Sequence, residues 1–353
     1  MAYRVIQWST GNVGRYALRG IIGHPELDLA GLWVHSADKV GLDAGELCGL
    51  DPVGVRATND ADELLGLDAD CVSYTATGDL RPQEAIEDIC RILRSGKNVV
   101  STSLVPLVYP PHAPAEMREP IAQACEEGKV SFFTSGIDPG FANDMLPLGL
   151  TQVCERIDQV RIQEVLNYAT YDQPEVLFVT MGFGQALDAT PILLAPGVLT
   201  LAWGGVIKMI ADGLGFELED IREVHERRPA IGSFTIPSGT VEAGTTAALR
   251  FELQGMVGGE PRIVIEHVTR LRDDVAPEWP EPPGKGGYRV LISGSPNLRC
   301  ELTLEGDGGD ENSGGLIVTA MRILNAIPAV CEAPPGMLSA LDIPLAHGPV
   351  SRA

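Results

Sequence analysis

The sequence predicts an α/β fold, with a Rossmann-type doubly wound parallel sheet followed by a second α+β domain whose sheet is mostly antiparallel. Over residues 1–142, short apolar strands alternate with helical segments, the pattern of a parallel sheet covered by helices on both faces. From Ile157 onward, longer strands with period-two alternation of apolar and polar residues indicate an antiparallel sheet. A chain of 353 residues is long enough for two such domains.

The chain opens with a strand, a glycine turn and a helix. Residues 4–8 have an apolar strand pattern, and the following Ser-Thr-Gly-Asn-Val-Gly leads into a helical run. In such a turn Gly11 lets the backbone approach a pyrophosphate, and Gly14 lets the helix pack close to the strand. Ser9 stands where the G-x-G-x-x-G motif has its first glycine, so two glycines of the three are present. The flanking strand and helix favour a dinucleotide site over an ordinary tight turn.

The rest of this domain continues the alternation. We predict strands at 28–34, 53–57, 70–75, 98–101 and 130–134, and helices at 61–67, 82–95 and 117–127. Pro82 suits a first helical turn, and Gly96 ends that helix. Turn-forming residues at 135–141 then mark a crossover into the second domain.

The second domain is predicted from its strands. Segments 241–256 and 262–272 form a hairpin around 257–260, strands at 288–292 and 298–304 extend it, 306–315 is an acidic, mobile loop, and 316–327 is a helix. We expect one wet and one covered face, and such a sheet often serves as a dimer contact. The apolar stretch 191–215 contains Pro-Gly and Gly-Gly pairs, so we interpret it as two buried helical pieces and not as a membrane span.

These patterns divide the chain into a dinucleotide-binding domain at 1–142, a substrate and dimerisation domain at 143–313 and a C-terminal extension at 329–353, with a helix at 314–328 that packs back on the first domain. The net charge of -22 argues against nucleic-acid and anionic-membrane partners. Seven scattered cysteines without a Cys-x-x-Cys pair are typical of a reducing cytosol, and no secretory signal precedes Arg4. No metal site is predicted, because His112 and Glu116 have the spacing of a ligand pair but no third ligand.

Cofactor contacts are expected where the strands of the first sheet end. After the second strand, Ser36 and Lys39 favour a ribose 2′-phosphate and His35 can stack or donate, whereas Asp38 favours a free 2′-hydroxyl. We therefore expect NADP, with NAD as the alternative. The predicted cofactor contacts are Ser9, Thr10, Gly11, Asn12, Val13, Gly14, His35, Ser36, Lys39, Thr75, Ala76, Thr77, Ser101 and Thr102.

Hydride transfer also needs a proton from a nearby acid or from water. The candidates near the predicted domain junction are Tyr109, Asp138, Glu164, Tyr168 and Tyr171. Asp138 precedes Pro-Gly, where an Asx turn is the alternative role. Glu164 lies in a strand, and an exposed-face carboxylate is the simpler interpretation. His225 and His267 lie in alternating strands, so we expect them to point outward.

Three segments carry a resemblance to a known family. They are Thr-Gly-Asn-Val-Gly at 10–14, Asp-Pro-Gly-Phe through Asp-Met-Leu-Pro at 138–147, and Asn-Ala-Ile-Pro at 325–328 with Ala-Pro-Pro-Gly at 333–336. Over nearly its whole length the chain resembles the 2,4-diaminopentanoate dehydrogenase and native amine dehydrogenase family, whose cofactor domain is similar to that of dihydrodipicolinate reductase. The resemblance implies an NAD(P)-dependent homodimer that interconverts an amine with a ketone or imine and ammonia, with Phe141, Tyr168 and Tyr171 in the substrate pocket.

The loop after the 98–100 strand departs from the family pattern. The resemblance implies a glutamate there, shortly before a Tyr-Pro pair, to bind ammonia or the amine and relay a proton. In this chain the loop reads Ser-Thr-Ser-Leu-Val-Pro-Leu-Val before Tyr109 and Pro110, without a carboxylate. Either another group takes that role, or the substrate is not an amine.

We therefore predict a cytoplasmic NADP-dependent oxidoreductase that carries out reversible oxidative deamination of a small amine, or reductive amination of a ketone or aldehyde. Tyr168, Asp138 and Tyr109 are the predicted catalytic residues. One alternative is an NADPH-dependent reductase of a carbonyl or cyclic imine that does not use ammonia. Another is a non-catalytic NADP-binding protein. The expected partners are the small substrate and a second copy of the chain, not nucleic acid or a membrane.

Overall fold

A computed structural model describes residues 2–78 and 81–350 of the chain. They fall into two units, one formed by Met1–Phe141 with Leu316–Ala353 and the other by Ala142–Gly315. The strands are β1 (Tyr3–Trp8), β2 (Leu27–Trp33), β3 (Ala57–Thr58), β4 (Cys71–Tyr74), β5 (Asn98–Ser101), β6 (Ser131–Thr134), β7 (Arg156–Asn167), β8 (Asp220–Pro229), β9 (Phe234–Ile236), β10 (Gly239–Val241), β11 (Thr246–Val257), β12 (Glu260–Arg270), β13 (Gly287–Ser295), β14 (Leu298–Thr303) and β15 (Gly336–Leu338). 

The α-helices are α1 (Asn12–Gly23), α2 (Ala44–Leu47), α3 (Ala61–Leu65), α4 (Pro82–Arg94), α5 (Ala115–Gly128), α6 (Met145–Thr151), α7 (Val198–Leu214), α8 (Glu311–Leu324) and α9 (Ile327–Glu332). Short 3₁₀ turns occur at Ala37–Lys39, Val105–Val108, Pro110–His112, Ile192–Leu194 and Asp307–Gly309, and a π-helical segment at Glu175–Thr180. The predicted acidic loop at 306–315 is therefore shorter than expected, because α8 already begins at Glu311.

The first unit is built on a seven-stranded parallel sheet in the order β15-β6-β5-β4-β1-β2-β3. This confirms the predicted Rossmann-type sheet. Helices α4 and α5 bury apolar side chains against one face, and α1, α8 and α9 against the other. Sequence patterns did not indicate β15, which pairs with β6 over only three residues and lies in the segment expected to be an extension.

The helical segment Glu311–Glu332 is long and apolar enough, by composition, to cross a membrane. The apolar residues of this segment, however, pack inside the protein. Ile323, Leu324 and Ile327 are fully buried and belong to the core that packs on the first sheet. The segment is thus accounted for as a core helix pair of the first unit.

The second unit is built on a six-stranded sheet in the order β14-β13-β7-β12-β11-β8. All of its pairs are antiparallel except β7 with β12, which confirms the predicted mostly antiparallel sheet. The β11/β12 hairpin turns at Gly258 and Gly259, whose φ angles of 63° and 77° suit a two-residue hairpin turn. The strands β13 and β14 do not extend this hairpin directly, because β7 lies between β12 and β13.

One face of the second sheet is covered by α7, which packs on β8, β11 and β12. The apolar stretch that contains α7 forms two helical pieces, as predicted, of which the first is a single 3₁₀ turn and the second is the long helix α7. Trp203 on α7 contacts Phe251 on β11, with ring centroids 5.1 Å apart. The side chains on this face of the sheet therefore lie in an enclosed environment.

The opposite face of the second sheet carries a network of charged side chains. Arg161 Nη1 lies 2.6 Å from Glu266 Oε2 and 2.8 Å from Glu252 Oε1, and Arg250 Nη2 lies 2.9 Å from Glu252 Oε1. Burial raises the pKa of Glu252, but hydrogen bonds from Arg161 and Gln254 outweigh burial and hold that pKa below its usual range. The face is polar as expected, although Glu266 is only 1% exposed.

Candidate active site

The glycine turn lies between β1 and α1. Ser9 has a left-handed backbone with φ of 82°, and its N–H donates to the carbonyl of Trp33 at 2.9 Å. A Cβ added to Gly14 would lie 2.5 Å from the Ser9 carbonyl oxygen and 2.7 Å from Thr75 Oγ1, so only glycine permits this close approach. A Cβ added to Gly11 would meet nothing within 4 Å, which leaves open space above the turn.

The start of α1 has the properties of an anion site. Gly11 is the N-cap residue of the helix and supplies no side-chain cap, and no acidic residue lies in the first turn. A helix start of this kind presents backbone N–H groups and a partial positive charge to a bound anion. Asn12 and Val13 occupy the first two helical positions and are partly exposed. These residues fit the diphosphate of a dinucleotide.

The end of β2 supplies the basic group beside this turn. Lys39 Nζ donates to Thr10 Oγ1 at 3.1 Å, so an ammonium group stands next to the glycine turn. His35 and Ser36 are exposed, as is Asp38, and the His35 ring lies 6.1 Å from that of Trp33. The structure thus places a positive charge and a hydroxyl at the strand end where an adenosine ribose is expected.

The end of β4 is joined to the turn by hydrogen bonds. Thr75 Oγ1 accepts from Gln7 Nε2 at 2.8 Å and donates to the Trp8 carbonyl at 3.0 Å. Ala76 is buried, and its carbonyl accepts a hydrogen bond from Ser103 Oγ. Thr77 is exposed. The predicted contacts Thr75, Ala76 and Thr77 therefore lie at the carboxyl edge of the sheet next to the turn.

The end of β5 has a buried and an accessible polar residue. Ser101 is fully buried, and its Oγ accepts from the Ser103 N–H at 2.9 Å, so this side chain shapes the loop. Thr102 follows it and lines a cavity of about 60 Å³. The cavity is lined by Thr102, Val105, Val108, Thr134, Ser135, Gly136, Ile137, Asp138, Pro139 and Thr319.

Of the predicted catalytic residues Asp138 and Tyr109, Asp138 lines this cavity. It follows β6 in a turn in which Ile137 bridges Gly140. Tyr109 is only 6% exposed and lies between the two 3₁₀ turns after β5, and it does not line the cavity. Phe141, expected in the substrate pocket, ends the same turn, and its N–H donates to the Gly136 carbonyl at 2.9 Å.

In the second unit, a row of side chains crosses the α7-covered face of the sheet. Tyr288 on β13, Glu164 on β7, His267 on β12 and Phe251 on β11 are register partners on successive strands. Glu164 is 4% exposed and His267 is 5% exposed. The expectation that both side chains lie on an exposed face is therefore wrong, whereas His225 on the edge strand β8 is exposed as expected.

The Glu164 carboxylate receives two hydroxyl donors. Tyr168 Oη donates to Oε1 at 2.8 Å, and Tyr288 Oη donates to Oε2 at 2.9 Å. His267 Nδ1 lies 3.6 Å from Oε1, and its ring stacks on Phe251 with centroids 4.5 Å apart. Each carboxylate oxygen thus accepts a hydrogen bond from a tyrosine hydroxyl group.

The predicted pocket tyrosines lie beside this carboxylate. The ring of Tyr171 is 4.9 Å from that of Tyr168, and its hydroxyl accepts from Gln173 Nε2 at 2.8 Å. The strand pattern held a signal for Glu164, which is in phase with the buried Val160 and Ile162 on β7. The alternation along β7 cannot show that Tyr288, which lies 124 residues later in the sequence, donates a hydrogen bond to Glu164.

Comparison with known proteins assigns the family. Residues 141–352 match the model of the 2,4-diaminopentanoate dehydrogenase C-terminal domain. An amine dehydrogenase of Streptomyces virginiae is 46% identical over 344 residues, which cover 96% of each chain. The chain belongs to the family of 2,4-diaminopentanoate dehydrogenases and amine dehydrogenases. 

More distant relatives agree with this membership. The 2,4-diaminopentanoate dehydrogenase of Acetoanaerobium sticklandii is 27% identical over 267 residues, which cover 74% of this chain and 71% of the relative. The solved structure of the amine dehydrogenase from Mycobacterium smegmatis shares the fold, with a TM-score of 0.78 at 20% identity over 98% of this chain and 97% of that one. This member of the amine dehydrogenase family is therefore a dehydrogenase with a nicotinamide cofactor, as the resemblance implies.

Proposed function

We propose that the protein is an NADP-dependent oxidoreductase that interconverts a small amine with the corresponding ketone or aldehyde and ammonia. The observation that carries the proposal is the 46% identity, over nearly the full length, to an amine dehydrogenase. The open glycine turn supports the cofactor part, and the enclosed carboxylate of the second unit supports a cationic substrate. When bound, the cofactor supplies or accepts a hydride.

The preference for NADP rests on the end of β2. Lys39 places a positive charge beside Thr10, and Ser36 adds an exposed hydroxyl that can donate to a phosphate. Asp38 would compete for a free ribose 2′-hydroxyl and would favour NAD. Because the Lys39 ammonium group already faces the glycine turn, we propose that the 2′-phosphate of NADP is bound there.

We propose that the remaining cofactor contacts are those predicted at the strand ends. Ser9 through Gly14 would hold the diphosphate, and His35 would contact the adenine side. Residues 75–77 and 101–102 would lie along the carboxyl edge toward the nicotinamide. The 0% exposure of Ser101 limits that residue to shaping the loop through Ser103.

For the proton transfers we propose three groups. Asp138 lines the cavity at the end of β6, Tyr168 donates to the Glu164 carboxylate, and Tyr109 is buried in the loop after β5. Tyr168 is the strongest of these, since it combines a hydroxyl with a hydrogen-bonded carboxylate that can take up or return its proton. Phe141 and Tyr171 would provide apolar surface for the substrate.

A second candidate function follows from the loop after β5. Residues 101–108 contain no carboxylate, so the protein would be a reductase of a carbonyl or cyclic imine if nothing else binds ammonia.

We also propose that the protein works in the cytoplasm as a homodimer, paired through the sheet of the second unit. Size-exclusion chromatography with light scattering tests the dimer directly.

The test of the function is oxidation of NADPH by the purified protein with a panel of small ketones and aldehydes, each with and without ammonium chloride. NADPH and NADH binding is first measured by fluorescence. Turnover that requires ammonium supports the amine dehydrogenase, and turnover without ammonium supports the reductase. Binding of NADPH without any turnover would support a non-catalytic cofactor-binding protein and contradict both enzymes.

A further inference from the structure

We infer that Glu164 is the carboxylate that binds ammonium, or the protonated amine in the reverse direction, and removes its proton. This inference rests on the proposed amine chemistry and names the group that performs it. The site consists of Glu164, Tyr168, Tyr288 and His267, and we call it the carboxylate site. All four side chains belong to the second unit.

The carboxylate site encloses an acidic side chain and supplies a hydroxyl donor to each of its oxygens. Glu164 is 4% exposed, and its two oxygens accept hydrogen bonds of 2.8 and 2.9 Å from Tyr168 and Tyr288. Hydroxyl donors stabilise a carboxylate without neutralising its charge. An ammonium group can supply the opposite charge and N–H donors to the same oxygens. 

The surrounding rings give the carboxylate site the character of an amine pocket. His267 forms a cluster of three rings with Phe251 and Trp203, with ring centroids 4.5 Å and 4.8 Å from that of His267. The rings of Tyr168 and Tyr171 lie 4.9 Å apart. Aromatic faces attract organic cations, and a poorly hydrated site strengthens the attraction between carboxylate and ammonium.

The chemistry balances with Glu164 as the base that takes up and returns the proton. The carboxylate takes one proton from ammonium, and the released ammonia uses its lone pair to form the C–N bond to the carbonyl carbon. After proton transfer from nitrogen to oxygen, the carboxylic acid returns its proton as the C–O bond breaks, which leaves water and an iminium ion. The carboxylate is regenerated, and the iminium carbon is left able to accept the hydride that a bound nicotinamide cofactor would supply.

The experiment compares Glu164→Gln with Glu217→Gln, a substitution at an exposed glutamate of the same unit. Each is assayed with NADPH in two reactions, the best ketone of the panel with ammonium chloride, and 1-pyrroline, an imine that needs no ammonia. We expect E164Q to lose at least about 100-fold in amination, the scale of general-base catalysis, and to keep the rate of 1-pyrroline reduction at saturating imine within about threefold of wild type. E217Q should match the wild type in both.

Two readouts do not depend on turnover. The dissociation constant of NADPH, measured by fluorescence, should change less than about twofold in E164Q, because no cofactor contact is removed. Calorimetric titration of the NADPH-saturated protein with the amine that corresponds to the ketone, a pair that cannot react, should show binding weakened at least about tenfold. The variant Tyr288→Phe, which removes one hydroxyl donor, should weaken amine binding less than E164Q does.

The outcomes separate the inference from the proposed function. Amination by E164Q within about threefold of wild type would overturn the role of Glu164 while the amine dehydrogenase stands. Loss of 1-pyrroline reduction together with amination would also overturn it, because Glu164 would then have a general structural role. If the wild-type protein reduces 1-pyrroline and no ketone requires ammonium, the proposed function itself is wrong.

Discussion

Gly14 offers the sharpest test of the cofactor turn, because its environment fixes both the direction and the size of the effect. In Gly14→Ala the new Cβ would lie 2.5 Å from the Ser9 carbonyl oxygen, 0.9 Å short of the 3.4 Å at which ordinary contact begins (3.4 − 2.5 = 0.9). The same Cβ would lie 2.7 Å from Thr75 Oγ1, and hydrogen bonds hold both the Ser9 carbonyl and the Thr75 hydroxyl in place. Gln7 Nε2 donates both to the Ser9 carbonyl at 2.8 Å and to Thr75 Oγ1 at 2.8 Å.

Overpacking of this kind costs about 1–3 kcal/mol. Alanine recovers about 1 kcal/mol of this through its higher helix propensity, so we expect a net loss of about 0–2 kcal/mol. For a domain of this size a loss at the upper end of that range lowers the melting temperature by roughly 4–8 °C. Because α1 must shift to relieve the contact, NADPH binding should also weaken by about tenfold, which corresponds to about 1.4 kcal/mol.

Tryptophan fluorescence during thermal unfolding is a suitable assay. Trp8 and Trp33 stack at 4.9 Å on the strands that flank the turn and report on the first unit. The matched control is Gly23→Ala in the same helix, where the added Cβ would meet nothing within 4 Å. The reasoning is refuted if G14A melts at the same temperature as G23A and binds NADPH like the wild type.

Three further predictions test the cofactor site and the charged face of the second sheet. Gly11→Ala should leave the melting temperature of the apoprotein within about 1 °C of wild type, because the space around the added Cβ is open. The same substitution should weaken NADPH binding about tenfold or more in a fluorescence titration. If the variant binds NADPH as tightly as the wild type, the diphosphate is bound elsewhere. Lys39→Glu should reduce the preference for NADPH over NADH by about tenfold or more, and an unchanged ratio of dissociation constants would remove Lys39 from the phosphate site. Glu252 has a lowered pKa in the folded protein, so the stability that it contributes is present above its unfolded pKa of about 4.3 and is lost as the pH falls through its folded pKa. Glu252→Gln should therefore unfold more easily at pH 7 by about 1–3 kcal/mol in urea and lose less stability on acidification than the wild type, whereas parallel pH profiles would contradict this sign.

Local patterns predicted the elements whose signals are contained in a few residues. The β1-turn-α1 unit follows from one apolar run and two glycines, and the β11/β12 hairpin from alternation around Gly258 and Gly259. The position of β7 between β12 and β13 could not be read in this way, because strand order depends on pairing between segments that are about 100 residues apart.

The same limit applies to the carboxylate site. Alternation along β7 places Glu164 in phase with buried residues, but an acid there looks like an exposed residue until α7 is known to cover that face. His267 and Tyr288 reach Glu164 only through the register of three strands. A polar side chain on a strand can be interpreted only when both neighbouring strands and the covering helix are known.

The division of the first unit into two stretches of chain has a consequence for biosynthesis. Residues 316–353 belong to the same unit as residues 1–141, and Ile323, Ile327 and Leu338 complete the apolar core on one face of its sheet. The N-terminal stretch leaves the ribosome first, so Val100 and Phe133 on that face have no helix from the C-terminal stretch to pack against until residues 316–338 have also been synthesised. The second unit is one continuous segment that emerges complete in the meantime. The nucleotide-binding unit is therefore completed only after the second unit has been synthesised.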